Sequence, residues 1–166
     1  MSTIRPETLD FVETAPLRAT AHREVDAPPE DVFDTLADTS SWVHWFPGMH
    51  HCAWLTPPPY GVDSQREVRV GPLHIVERFL VWDRPTRWGF TFTAASPAIA
   101  RAGVDVVDLA PADGGRTTVS YTIAIEPPGP RMDVPGFAAR PMEANLAGAL
   151  AGLERFLTTG RVRRTS

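Results

Sequence analysis

Six strand-like segments follow one another between His50 and Glu126, separated mainly by short turns. They are His50–Thr56, Ser64–Val70, Leu73–Trp82, Arg87–Ala94, Ala102–Leu109 and Arg116–Glu126. The Gly71-Pro72 pair, the Asp83–Thr86 stretch (DRPT) and the Pro111–Gly115 stretch (PADGG) are turn chemistry too short for crossovers, so the strands pair as antiparallel hairpins. Such a sheet must bury one face. Only one later segment is long enough to cover it. From about Pro141 to Thr158, Met142, Leu146, Leu150, Leu153 and Leu157 recur at helical spacing, with Gly160 just beyond. The pattern predicts an α+β chain in which a single long helix lies on one antiparallel sheet.

The segment before the strand run adds a strand and two short helices. Leu17–Val25 reads as a strand, halted at Pro28-Pro29. Pro29 suits the first position of a helix running to about Asp38, because its missing N–H would be unpaired there anyway. Glu30 and Asp31 place negative charge at the positive end of that helix, and Val32, Phe33 and Leu36 form its apolar stripe. Ser40 or Ser41 is expected to cap a second helical turn carrying Trp42, Trp45 and Phe46, which Pro47-Gly48 ends. Residues 1–15 read as an arm with Leu9, Phe11 and Val12 able to dock. Residues 16–159 then form one domain and 160–166 a flexible tail.

Composition narrows the function classes. With 166 residues the chain fits one domain with a sizeable core. A net charge of −4 without a basic run before the Arg161, Arg163, Arg164 end gives no general attraction to nucleic acid or anionic lipid. No apolar stretch approaches membrane-spanning length, so no membrane insertion and a cytoplasmic location are expected. All 16 basic residues are arginine, which removes Schiff-base chemistry. Cys52 is the single cysteine and excludes an internal disulfide and a thiolate cluster; it reads as a buried inert thiol. The histidines, His44, His50, His51 and His74 among them, match no metal-ligand spacing, and neither metal nor cofactor is expected.

Hairpin register then sorts the side chains. With Trp82 and Arg87 flanking a turn, Val81 should pair with Trp88, Phe79 with Phe90, and Glu77 with Phe92. One face then carries Ile75, Glu77, Phe79, Val81, Trp88, Phe90 and Phe92. On the next hairpin the same side gathers Val107, Leu109, Val119, Tyr121, Ile123 and Ile125, with Asp105 near Tyr121. An apolar wall holding a few polar groups is the pattern of a small-molecule pocket, or else of a plain core whose carboxylates reach water. The expected ligand-lining residues are Trp42, Trp45, Phe46, Phe79, Trp88, Phe90, Phe92, Val107, Met142 and Asn145. Glu77, desolvated among rings, is a candidate acid or base, Tyr121 a donor to a developing oxyanion, and Asp105 the group that orients it. Arg78 and Arg101 are further candidate anion partners, although alternation turns Arg78 outward.

Four stretches, VDAPPEDVFDTLAD with WVHWFPG, ERFLVWDRPTRWGFTF, VVDLAPADGGRTTVSYTI and MEANLAGALAGLERFL, resemble in order the START-like helix-grip superfamily (SRPBCC) that includes polyketide cyclases and dehydratases. The resemblance spans Leu17 to Leu157. It implies a curved sheet gripping the long helix, two short helices closing one end, and a hydrophobic cavity between. It further implies a binder of a small hydrophobic molecule or lipid (polyketide-like, sterol-like or fatty). The alternatives are a cyclase, aromatase or dehydratase working by general acid–base catalysis, and a protein–protein adaptor. A homodimer is compatible with the fold. The entrance is expected near the Pro57–Gly61 and Pro127–Gly136 loops.

Overall fold

The computed structural model describes residues 1–129 and 139–164. Its elements are β1 (Ser2–Thr3), α1 (Phe11–Thr14), β2 (Leu17–Val25), α2 (Pro29–Ala37), α3 (Trp42–Trp45), β3 (Met49–Trp54), β4 (Gln65–Val70), β5 (Leu73–Asp83), β6 (Arg87–Ser96), β7 (Ala102–Ala112), β8 (Arg116–Glu126) and α4 (Ala139–Arg164). The described strands form one antiparallel sheet in the order β2-β8-β7-β6-β5-β4-β3, with β1 added beside β6. β7 pairs with β6 only as far as Thr91, and β1 takes over opposite Ala94 and Ala95. The sheet and α4 enclose the main core, in which Met142, Leu146, Leu150, Leu153 and Leu157 are buried as their spacing predicts. This is the helix-grip arrangement. A smaller cluster on the opposite face packs Phe11 against Ala102, Val104, Val106 and Ala124.

Local chemistry explains the ends of the short helices. α2 starts at Pro29 with Glu30 and Asp31 in its first turn. The following turn is capped by Asp38, whose Oδ1 accepts from the Ser40 backbone N–H at 3.0 Å, and not by Ser40 or Ser41 as expected. Ser41 acts elsewhere. Its Oγ donates to the Thr35 carbonyl at 2.8 Å and accepts from Trp45 Nε1 at 3.1 Å. Trp42 Nε1 donates to the Leu36 carbonyl at 2.9 Å, so both indoles of α3 enter the core with their polar atoms satisfied.

The β5–β6 hairpin departs from a plain ladder. Phe79 faces Phe90 and Glu77 faces Phe92, but Val81 lies opposite Gly89, not Trp88, because the register shifts between Phe79 and Val81. A bulge adds one residue to the strand and reverses the alternation beyond it. Trp82 thereby takes the inward place, packing on Phe79 with ring centroids 5.1 Å apart, and Val81 turns toward Val106 and Gly89 on the other face. β7 also runs three residues past the expected end at Leu109. Its Pro111 is tolerated because β6 no longer pairs there.

Candidate functional site

Between the sheet and α4 lies a cavity of about 250 Å³. Its apolar wall comes chiefly from Val68 and Val70 of β4, Ile75 of β5, Phe92 of β6, and Ile123 and Ile125 of β8. Trp42 and Phe46 close one side, and Met142 and Asn145 reach it from the first turns of α4. Of the residues expected to contact a ligand, these two with Trp42, Phe46 and Phe92 line the cavity. Trp45, Phe79, Trp88, Phe90 and Val107 sit instead in the packed core beside it, buried but outside the lining. Much of the Pro127–Gly136 loop, expected at the entrance, falls outside the described residues.

Four buried polar side chains share this apolar chamber with the exposed Asn145: Arg66, Glu77, Asp105 and Tyr121, with 0, 3, 4 and 2 % of their surface exposed. They come from β4, β5, β7 and β8. The Tyr121 hydroxyl donates to Asp105 Oδ2 at 2.9 Å, while Asp105 Oδ1 has no hydrogen-bond partner. Burial pushes the Asp105 carboxyl well above the usual carboxylate range, and the Glu77 charge pushes in the same direction. Burial likewise raises Glu77, with the Arg66 guanidinium opposing. Tyr121 is raised well above its ordinary value by burial and by the two carboxyls.

Arg66 is the residue the sequence reading missed. Its Nε donates to Glu77 Oε2 at 2.7 Å, and Nη2 lies 2.5 Å from the same oxygen. Nη2 thereby completes the ion pair with Glu77, while Nη1 has no hydrogen-bond partner. The guanidinium carbon sits 4.4 Å from the Trp42 ring centroid, 5.0 Å from Trp88, 5.2 Å from Phe90 and 5.6 Å from Phe79. The ring faces supply part of the stabilisation that water would have given the cation. A signal was present in Gln65–Val70: Arg66 shares its parity with Val68 and Val70, the inward side of β4.

The remaining candidates lie elsewhere. Arg78 bonds Asp63 at the surface, and Arg101 lies 4.0 Å from Glu126. His44 is exposed beside Phe156. His51 and His74 both bond Glu67, at 2.9 and 2.8 Å, and hold its carboxyl below the usual range. Among the described residues no group of histidine, cysteine and carboxylate side chains is arranged to hold a metal ion. The Cys52 thiol is pushed up to about 11 by burial, against the pull of nearby Arg66, so it is not a nucleophile at neutral pH. No helix among the described residues is long and apolar enough to cross a membrane.

A family model described as polyketide cyclase / dehydrase and lipid transport matches residues 16–157. The chain belongs to this family. The uncharacterized protein Rv2574 of Mycobacterium tuberculosis is 31% identical over 150 residues, covering 90% of this chain and 85% of its own length. Solved structures agree on the fold. The protein TTHA0849 of Thermus thermophilus superposes with a TM-score of 0.71 at 18% identity, over 86% of this chain and 98% of its own. A START superfamily protein of Mycobacterium smegmatis gives 0.65 at 16% identity, over 90% and 99%. Membership of the polyketide cyclase / dehydrase and lipid transport family makes this a START-like, polyketide cyclase-like domain of hydrophobic-ligand-binding type.

Proposed function

We propose that this chain holds a small hydrophobic molecule or lipid, polyketide-like, sterol-like or fatty, between the sheet and α4. The cavity of about 250 Å³ carries this reading, because most of its wall is built of aliphatic and aromatic side chains. Ligand pockets run from about 300 to 1,000 Å³, so this one falls just below that range and suits a small ligand. The decisive experiment is native mass spectrometry of protein purified gently from its own host, followed by organic extraction. A stoichiometric hydrophobic passenger is the expected result. A bare mass, together with no uptake of any apolar probe offered in vitro, would sink the reading.

A specific observation also favours general acid–base catalysis in the manner of a cyclase or dehydratase: two carboxyls, a phenol and a guanidinium converge on one apolar space. Glu77 or Asp105 would move a proton beside a ketone, while Arg66 or Tyr121 would stabilise the enolate oxygen. If this chemistry operates, Glu77→Gln and Tyr121→Phe should abolish turnover of a bound ketone while leaving its affinity nearly intact. Equal loss of both would mean the residues only position the ligand.

A further inference from the structure

The polar side of the cavity is made of buried side chains, and two of their atoms are left without a partner. Arg66 Nη2 is held in the ion pair with Glu77 Oε2, but Nη1 has no hydrogen-bond partner, and neither has the buried carboxyl oxygen Asp105 Oδ1. Buried polar atoms left in this state cost stability, and natural proteins keep few of them without a use. The site contains one permanent cation and two carboxyl groups. Were both carboxyls ionised, a net negative charge would sit in a space walled by Phe92, Ile75 and Val68. With Asp105 protonated the site is electrically balanced, and its free oxygen can become a donor alongside the guanidinium nitrogen Nη1.

This balance discriminates among ligand chemistries. A carboxylate would bring an uncompensated charge into a neutral site with apolar walls. An ammonium group would find the faces of Trp42, Trp88, Phe90 and Phe79 already occupied by Arg66. A pure hydrocarbon would leave the donors unanswered. A neutral oxygen with two lone pairs meets each requirement. We propose that the Arg66–Asp105 side of the cavity is a receptor for a neutral carbonyl-type acceptor, a ketone, lactone or quinone oxygen at the buried end of an otherwise apolar ligand. The inference deepens the container reading above and rests on it.

Three probes of nearly equal shape test it: methyl naphthyl ketone, naphthoate and ethylnaphthalene, each measured by equilibrium dialysis against the full chain at neutral pH. The ketone should bind about tenfold tighter than either of the others, the weight of one strong hydrogen bond to an otherwise unpartnered donor. Asp105→Asn retains a donor and should keep that preference. Asp105→Leu should lose most of it while still binding ethylnaphthalene. Equal affinity for ketone and hydrocarbon in the wild type would overturn the receptor but leave the container standing, and tightest binding of naphthoate would overturn it in favour of an anion site. Failure of all three probes to bind would overturn container and receptor together. The wild-type series decides the matter even if Asp105→Leu does not fold.

Discussion

Arg66 and Asp105 show how far single residues can be pushed from their ordinary behaviour by their surroundings. A cation with no exposed surface persists because Glu77 lies against it and four rings surround it. Asp105 has a phenol for a partner and a second carboxyl nearby, so burial is answered by keeping its proton. This has a consequence for stability. The unfolded chain releases the Asp105 proton near pH 4, whereas the folded chain holds it to a much higher pH. Stability from this group is therefore whole below about pH 4 and is lost as pH rises through the folded value. Asp105→Asn, which keeps the acceptor for Tyr121, should match the wild type in urea unfolding at pH 4 and exceed it increasingly toward pH 8. Parallel curves across that range would show that Asp105 is ionised in the fold. Asp105 was legible from hairpin alternation, which put it near Tyr121. Arg66 was not, because on the short β4 an arginine between the polar Gln65 and Glu67 has the look of a surface residue despite sharing the parity of Val68 and Val70.

The elements fit together where α4 crosses α3, and there a missing side chain matters more than any present one. A Cβ on Gly152 would fall inside the Trp45 carbonyl oxygen, a backbone atom that cannot swing aside. At Gly148, one turn earlier on the same helix, the nearest heavy atom to a Cβ is Pro47 Cγ at 3.9 Å. The two glycines should therefore answer alanine in opposite directions. Gly152→Ala is expected to cost about 1–3 kcal/mol by forcing the helices apart. Gly148→Ala should add up to about 1 kcal/mol through helix propensity. Chemical denaturation of both variants checks the pair, and a shared sign would contradict this close crossing. At this scale the sequence was largely sufficient, since hairpin turns and a leucine repeat specify the sheet and the helix that covers it. It failed at the β5–β6 bulge. Nothing in FLVW marks where an extra residue enters a strand, so Val81 and Trp82 were assigned to each other's faces.

Across the whole molecule, the unfilled part of the core distinguishes this chain from a small protein packed solely for stability. The rings of Phe79, Trp88 and Phe90 interlock at centroid distances of 4.9 to 5.5 Å, while a few residues away Ile123 borders open space. Enlarging a side chain should therefore have different effects in the two regions. Val107 is fully buried outside the cavity lining, and Val107→Phe should cost about 1–3 kcal/mol or more by overpacking. Ile123→Phe adds bulk where the cavity can receive it, and its thermal midpoint should stay at or above that of the wild type. The same variant should lose at least about tenfold in affinity for methyl naphthyl ketone, because the added ring competes for the ligand's volume. If Ile123→Phe unfolds as readily as Val107→Phe, the space between sheet and α4 is packed tightly in solution. If it remains stable and still binds the ketone unchanged, the ligand lies elsewhere. Stability kept with affinity lost is the pattern of a fold that leaves part of its interior for a guest.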